Sequence, residues 1–280
     1  MMNLVVCLKQ VPAVAELEWD QRTGGLKRDQ AQGMMNPACR SALEAALQLK
    51  AELGGVITAV SMGPPQAEEI LREALALGAD SAVLLSDPAM AGADTLATSY
   101  TLAKAVKLLR RDFDLVLCGC HSADSETAQV GPQLAEELKV AGVAQVETIQ
   151  VLASRAKAGR PTVRLIRQAD GFLETLELEP PGVLTVVGSG FLPRHVDLSG
   201  LQPAFEGREM ILLNAKQLGA DPKAMGQGGS ATRILRVYPS VIDKEGVVLK
   251  GSVKAVVQDL FQLHGTRLNG LIGQGYSADD

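Results

Sequence analysis

Apolar and polar positions alternate in blocks along the first half of the chain. Four short apolar runs are typical of buried strands; they occupy residues 3–8, 56–61, 81–85 and 115–118. Between and after these runs, apolar residues recur with the period of an amphipathic helix. Strands that alternate with helices in this way predict an α/β fold, in which a twisted parallel sheet carries crossover helices on both faces.

Four helices are predicted in this half, and they span residues 36–53, about 65–77, 94–109 and about 127–138. Asn36 is expected to cap the first helix, and Pro37 suits its first helical position. In the fourth helix, Val130, Leu134 and Leu138 recur on one face. Glycine residues stop the first two helices.

The pattern changes after about residue 146. Four further strands are predicted, at residues 146–152, 162–168, 171–178 and 183–187. The sequence then predicts a weak helix, a glycine-rich loop, a short strand and a final amphipathic helix, at residues 214–218, 226–230, 234–238 and 253–263. A small hairpin is predicted around Trp19-Asp20 and Gly24-Gly25. We expect an α/β domain at residues 1–190 and a C-terminal arm at residues 191–280 that grips another protein.

Composition narrows the class of protein. The chain has 280 residues, of which 46% are hydrophobic and 21% charged, and its net charge is -5. This balance is ordinary for a globular protein and offers no basic surface to nucleic acid or to an anionic membrane. No apolar run is long enough for membrane insertion, and the N-terminus enters a strand without a signal peptide. The four cysteines have no disulfide-framework spacing, so we expect a cytoplasmic protein with reduced thiols.

The stretch from residue 114 to 138 is the best candidate for a phosphate-binding turn. A buried strand ends at Gly119, a loop of small polar residues follows, and a helix begins after the loop. Such a helix start gathers free backbone N–H groups that bind anions. The loops after Leu8 and Ser61 converge on the same carboxyl edge of the predicted sheet, where ligands bind in such folds. The convergence strengthens the case for a nucleotide, but an ordinary βα turn stays open as the alternative reading.

The sequence lacks the motifs of a catalytic site. It has no Walker lysine motif, no pyrophosphate loop of the ATP-cleaving α/β enzymes and no hydrolase nucleophile elbow. Gly226 to Ala231 has the spacing of a dinucleotide fingerprint, but a helix precedes it and a strand follows. Cys118, Cys120 and His121 lack a second ligand pair for zinc. No catalytic or metal-binding residue is predicted, and the chain is expected to bind a nucleotide without cleaving it.

Several motifs together resemble the β subunit of electron transfer flavoproteins over nearly the whole chain. They are Val5 to Pro12, Asn36 to Cys39 with Ala42 to Ala46, Met62 to Gln66, Ala76 to Asp80, Ala123-Asp124 with Thr127 to Pro132, and Asp170 to Pro181. No single motif is specific for this family, but the set of motifs taken together is specific. The resemblance implies a nucleotide-binding α/β fold at residues 1–190 and a C-terminal extension that grips an α subunit.

The resemblance also implies a function. It implies a heterodimer with an electron transfer flavoprotein α subunit, which carries electrons between flavin dehydrogenases, such as acyl-CoA dehydrogenases, and an acceptor. The electron-transferring FAD would be shared with the α subunit, while the β subunit would hold AMP or, in NADH-dependent bifurcating members, a second FAD. The chain would then be a carrier subunit and not an enzyme. Redox partners would dock after the Pro193-Arg194 pair, with Leu198 as the apolar anchor.

The cofactor-binding residues carried over by motif are spread over five places in the chain. They are Cys7, Asn36, Pro37, Ala38, Cys39 and Met62, then Asp94, Thr95 and Thr98, and finally Gly119, Cys120, His121, Ser122, Ala123, Asp124, Ser125, Glu126, Thr127, Ala128, Gln129 and Val130. The resemblance implies that Asp94, Thr95 and Thr98 add donors beside the longer pyrophosphate of a second FAD.

Three segments depart from the family pattern. Cys120-His121-Ser122 replaces Arg/Lys-Gln-Ala, which removes a cation near the phosphates. Phe191-Leu192 stands where Asn-Glu is common, and Phe172 where a small or acidic residue is usual. The choice between AMP and a second FAD therefore stays open, as does the docking partner. Two other readings also stay open: an ATP-using enzyme of a related α/β fold, and a paralogue that has lost its nucleotide.

Overall fold

The structure, a computed structural model, describes residues 1–13, 19–20, 25–26, 32–157, 160–233 and 246–272. Its strands are β1 (Met2–Leu8), β2 (Gln10–Pro12), β3 (Trp19–Asp20), β4 (Gly25–Leu26), β5 (Gly33–Met35), β6 (Gly55–Met62), β7 (Ser81–Leu85), β8 (Leu115–Gly119), β9 (Ala141–Lys157), β10 (Arg160–Ala169), β11 (Phe172–Leu178), β12 (Gly182–Val186) and β13 (Ile211–Leu213). Its helices are α1 (Pro37–Leu53), α2 (Glu68–Leu77), α3 (Thr95–Leu109), α4 (Val130–Leu138), α5 (Leu198–Gln202), α6 (Gly226–Gly229) and α7 (Val253–Ile272).

Nine of the described strands form one sheet, in the order β11-β10-β9-β12-β8-β1-β6-β7-β13. All neighbours from β12 to β13 are parallel. Strand β9 runs parallel to β12 but antiparallel to β10, which pairs antiparallel with β11. The predicted α/β class with a mostly parallel sheet is confirmed, and an antiparallel ribbon extends one edge of the sheet.

Helices cover both faces of this sheet. On one face, α1 and α2 bury Leu43 and Leu71 in a core that includes Leu4 of β1. On the other face, α3 and α4 bury Leu102 and Leu134. Successive strand residues point to opposite faces, so the continuous apolar runs of the central strands fill both cores. Full burial of each such side chain contributes roughly 1.5–3 kcal/mol.

The chain changes direction between β1 and β8. Strands β6 and β7 are added on one side of β1, and the chain then returns to place β8 on the other side. Helix α1 packs on one face of the sheet and α4 on the opposite face. The loops that follow β1 and β8 therefore diverge at the carboxyl edge, and open α/β sheets bind ligands in the crevice that this divergence leaves.

Helix α4 begins at Val130, later than the predicted start at Thr127. Ala128 has a φ of 55°, a left-handed conformation that an α-helix does not contain, so the helix cannot extend back through it. Residues 120–129 are consequently a loop, longer than the sequence pattern predicts.

Other differences concern the second half of the chain. Strand β9 begins at Ala141, ahead of the prediction, because its first residues pair with β12 and not within the ribbon. The short strand β13, whose Ile211 and Leu212 are exposed, pairs with β7 and was not predicted. The predicted hairpin is confirmed where β3 pairs with β4, whereas the strand predicted at 234–238 lies outside the described residues.

The chain divides into two compact units, Met1–Arg236 and Val237–Asp280. The first unit contains the whole nine-stranded sheet, including β13. The second contains α7, which extends to Ile272 and is longer than predicted. In the described ranges, no helix is long and apolar enough to cross a membrane. The functional division at residue 190 stays a prediction.

Candidate nucleotide site

Asn36 ties the loop after β8 to the start of α1. Its side chain is 1% exposed, its amide nitrogen donates to the carbonyl oxygen of His121 at 2.8 Å, and its amide oxygen accepts from the N–H of Ala123 at 3.0 Å. The amide nitrogen also lies 3.4 Å from the sulfur of Cys39. Asn36 occupies the predicted N-cap position of α1, but its side chain forms no capping hydrogen bond. A buried amide that is bonded on both sides instead fixes the loop against α1.

Lys9 anchors the same loop from the end of β1. Its ammonium donates to Asp124 Oδ1 at 2.6 Å and to Ser122 Oγ at 3.1 Å. The Ser122 hydroxyl in turn lies 2.9 Å from that of Ser125. Partial burial acts to raise the pKa of Asp124, but the hydrogen bonds from Lys9 and Ser122 outweigh burial and lower it. Lys9 therefore places a cation beside residues 120–122, which contain neither lysine nor arginine.

Gly119 brings the end of β8 against the first turn of α1. A Cβ at this position would lie 2.7 Å from the backbone nitrogen of Cys39 and 2.8 Å from the carbonyl carbon of Ala38. Since any larger residue would force these backbones apart, only glycine fits. The buried residues Ala38 and Cys39 thus pack against the start of the loop. Pro37, in the first helical position, is exposed.

The last part of the loop offers free backbone donors. Glu126 and Ala128 have φ values of 51° and 55°, in the left-handed region that residues with side chains rarely adopt. Within the described part of the chain, the N–H groups of Thr127, Ala128 and Gln129 form no hydrogen bond, and these three residues are exposed. Consecutive free N–H groups ahead of a helix N-terminus suit a phosphate.

The start of α3 joins the loop from the other side. Thr95 Oγ1 donates to Gln129 Oε1 at 3.0 Å, and Ser99 Oγ lies 3.2 Å from the carbonyl oxygen of Val130. Thr98 lies in the same first turn of α3. The structure therefore brings together the predicted contacts from α3 and from the loop after β8.

Asp94 connects the N-terminus of α3 to the segment that follows α6. Its carboxylate accepts from the N–H groups of Ala97 at 3.0 Å and Thr232 at 2.8 Å, and its own N–H donates to Ser230 Oγ at 2.8 Å. Partial burial acts to raise the pKa of Asp94, but the backbone donors outweigh it and lower the pKa. The carboxylate thus holds two protein segments together, and its predicted contact with a cofactor stays a prediction.

The four cysteines gather at the same edge. Cys7 and Cys118 are paired in the register of β1 and β8, and the hydrogen bond with Cys7, together with burial, raises the pKa of Cys118 well above its usual value. Burial also raises the pKa of Cys39 and the pKa of Cys120. The sulfur of Cys120 lies 3.0 Å from His121 Nδ1. Among the described residues, no group of three or more candidate ligands could hold a metal.

Met62 was predicted as a site residue from the sequence, whereas Lys9 and Ser99 were not. Met62 ends β6, two strands from β8 on the same carboxyl edge, and packs partly buried on the α3 side. Lys9 was not predicted as a site residue, although its position directly after the first strand could have marked it. Ser99 was missed because no local signal distinguishes it from other helix residues.

The donors of this edge fit a phosphate-bearing nucleotide. They comprise the free N–H groups at 127–129 and the ammonium of Lys9, which has a third N–H besides those donated to Asp124 and Ser122. Asp124 is paired with Lys9, and burial raises the pKa of Cys120, so neither of these two groups is poised as a base or a nucleophile at pH 7.

The segment after β12 carries the predicted docking anchor. Leu198, the first residue of α5, is 81% exposed, and Leu192 is 89% exposed. Phe191 next to Leu192 is buried in the core. The segment is thus held in the core at Phe191 and exposes the large apolar side chains of Leu192 and Leu198 to solvent. Exposed apolar side chains of this kind are typical of an interaction site.

Comparison with known proteins gives concordant matches. Residues 23–207 match the family described as the electron transfer flavoprotein domain. The chain is 37% identical over 261 residues to the electron transfer flavoprotein subunit beta of Thermoanaerobacterium thermosaccharolyticum, covering 93% of this chain and 97% of that one. It is 40% identical over 255 residues to the protein of the same name from Clostridium acetobutylicum, covering 90% and 94%. It is 39% identical over 252 residues to the caffeyl-CoA reductase-Etf complex subunit CarD of Acetobacterium woodii, covering 90% and 93%.

Proposed function

The chain belongs to the electron transfer flavoprotein family as a β subunit, and from this we propose that it binds an adenine nucleotide at the carboxyl edge of its sheet. Its role is that of a carrier subunit, not of an enzyme by itself, and it works with a second electron transfer flavoprotein subunit. We propose that this second subunit is the α subunit and that the two form a heterodimer. The cytoplasmic location expected from the sequence stays a prediction.

One observation carries the nucleotide proposal. Contacts from three different elements hold the loop at 119–130: Asn36 at the start of α1, Lys9 after β1 and Thr95 in α3. The loop is therefore held in a defined position, with its N–H donors at 127–129 free. Preorganised donors of this kind bind a phosphate without the cost of ordering a mobile loop.

The bound group is AMP or the AMP half of a second FAD. The first turn of α3, which contains Thr98, adjoins the loop through the bond from Thr95 to Gln129, and this favours a ligand as long as the pyrophosphate of FAD. Lys9 offsets the absence of a lysine or arginine at 120–122. When bound, flavin supplies the electron-accepting chemistry, and the residues of this chain bind and orient it.

We further propose how electrons enter and leave. The electron-transferring FAD is shared with the α subunit, and flavin dehydrogenases of the acyl-CoA dehydrogenase type dock at the exposed Leu198. The similarity to a subunit of a caffeyl-CoA reductase-Etf complex favours a partner that acts on a CoA ester. With a second FAD in this chain, the heterodimer would use NADH in flavin-based bifurcation.

Flavin stoichiometry tests the proposal. The chain is purified together with its α subunit, flavins per heterodimer are counted by absorbance, and AMP is identified after denaturation. Two flavins support the bifurcating form, and one flavin with AMP supports the simple carrier. A heterodimer with one flavin and no AMP, or with no nucleotide at all, would contradict the proposal and support a paralogue that has lost its ligand. ATP turnover by the isolated chain would instead support an ATP-using enzyme.

A further inference from the structure

Glu44 and Arg194 form a two-pronged ion pair away from the nucleotide site. Arg194 Nε donates to Glu44 Oε2 at 2.7 Å, and Nη2 donates to Oε1 at 2.9 Å. The backbone N–H of Arg194 adds a bond of 3.3 Å to the same carboxylate. The side chain of Glu44 is 6% exposed and that of Arg194 is 46% exposed. A paired contact between a guanidinium and a carboxylate fixes orientation as well as distance.

Glu44 occupies a place where an apolar residue would be the ordinary choice. Its neighbours Leu43, Ala45 and Leu47 are all buried on α1. Burial acts to raise the pKa of Glu44, but the hydrogen bonds from Arg194 and Gln48 outweigh burial and lower it, so the group stays charged. Apolar pairs often replace buried ion pairs without loss of stability. A charged pair here is therefore better explained by the geometry that it imposes.

Arg194 lies in the middle of the segment that carries the exposed apolar side chains. Phe191 on one side is buried, whereas Leu192 and Leu198 are 89% and 81% exposed. The residues between Leu192 and Leu198 form neither helix nor strand. Because no regular secondary structure holds this stretch of backbone, the ion pair with Glu44 gives it a fixed point at Arg194.

Helix α1 connects this fixed point to the nucleotide site. Asn36 at its N-terminus bonds the loop at His121 and Ala123, and Glu44 lies roughly two turns further along the helix. We infer that Glu44 is a positioning residue that acts through Arg194 to hold Leu198 at a set place relative to the nucleotide site. A flavin dehydrogenase that docks on Leu198 would then stand at a fixed distance from the flavins. This inference rests on the proposed function.

Two variants separate positioning from stability. Glu44→Gln removes the charge at nearly constant shape. The double variant Glu44→Met/Arg194→Met removes both charges, leaves no buried unpaired group and is expected to restore stability while losing the fixed orientation. Lys50→Met is the matched control, because Lys50 lies on the same helix as Glu44 and its ion pair is with Asp80, which precedes β7 and is not part of residues 191–198.

Two measurements on the heterodimer test the inference. Amide hydrogen exchange should become faster across residues 191–202 in both test variants and stay unchanged in the control. The apparent KM of a reduced acyl-CoA dehydrogenase for the heterodimer should rise about tenfold, while kcat changes by less than about twofold and the flavin count stays the same.

Either of two results would overturn the inference: unchanged exchange at 191–202, or faster exchange with an unchanged KM. Failure of the proposed function would look different, because the unmodified heterodimer would then accept no electrons from the reduced dehydrogenase. In that event the exchange measurement still decides whether Glu44 holds the segment, since it needs no electron transfer.

Discussion

At the scale of single residues, the buried side chain of Asn36 and the missing side chain of Gly119 determine where the loop at 119–130 lies. Asn36 is enclosed by protein and bonds two loop residues on opposite sides of its amide. Gly119 is required for a different reason, since its missing side chain lets two backbones touch. Neither role is visible as a property of the residue alone, because each depends on a partner distant in sequence.

Replacing Asn36 by Ala should lower the free energy of unfolding by about 1–3 kcal/mol, because the carbonyl of His121 and the N–H of Ala123 lose their partner. Urea unfolding of the heterodimer at fixed concentration measures the change, and the bound nucleotide should fall in parallel. The exposed Asn214, which bonds only its own turn, provides the control Asn214→Ala. Equal losses in the two variants would contradict the role given to Asn36.

Gly119→Ala should destabilise the heterodimer by about 1–3 kcal/mol, because the new methyl group overlaps the backbone of Ala38 and Cys39. Thermal unfolding measures the loss. Gly188→Ala is the matched control, since an added Cβ there meets nothing within 4 Å. If Gly119→Ala retained both its stability and its nucleotide, the close approach would not matter.

Asp94 gives a pH-dependent prediction. Its pKa is lowered from 3.8 in the folded state, so its ionised form contributes stability above that value and loses the contribution as pH falls through the lower folded pKa. Asp94→Asn should therefore cost most near pH 7, and the gap to the unmodified protein should narrow below about pH 4. Urea unfolding across pH 3–7 tests this expectation, and a gap independent of pH would contradict it.

At the scale of elements, the position of the loop at 120–129 depends on residues at the ends of strands and helices more than on residues in the middle of them. Helix α4 starts only at Val130 because Ala128 is left-handed, and the residues ahead of it extend the loop at 120–129. The loop is stabilised by contacts with α1, β1 and α3 and not by a regular structure of its own. Its function should therefore be sensitive to side chains that link elements.

Gln129→Ala removes the link between the loop and α3. Thr95 and Gln129 form an exposed hydrogen bond, so stability should change by less than about 0.5 kcal/mol. Nucleotide affinity should fall several-fold, because the donors at 127–129 lose one of their supports. Titration of the emptied heterodimer with FAD or AMP measures the affinity. Exposed Gln66→Ala, outside this link, serves as the control, and an equal loss there would refute the role of Gln129.

At the scale of the whole molecule, two compact units are present and only one contains the sheet. In the second unit, α7 has Val253, Val257 and Leu260 at helical spacing, and these side chains are 82%, 46% and 38% exposed. An amphipathic helix with its apolar residues exposed suits the grip on the α subunit proposed from the sequence.

A chain that ends after residue 236 should keep the cooperative unfolding of the first unit but fail to co-purify with the α subunit. Size-exclusion chromatography of the co-expressed pair measures complex formation. The full-length variant Leu260→Asp should weaken the complex as well, without changing the first unit. A stable one-to-one complex of the shortened chain would show that residues 237–280 are not needed to bind the α subunit.

The sequence by itself determined the α/β class and most of the central strands, because each is a short apolar run bounded by turn residues and needs no distant information. Its motifs also led to the family, which the comparisons confirm. Three features depended on the tertiary structure: the partners of Asn36, the contact of Lys9 with Asp124, and the pairing of Glu44 with Arg194. The reason is physical, since a hydrogen bond or an ion pair between distant residues depends on how the chain folds back on itself, and no local pattern of polarity encodes that distance.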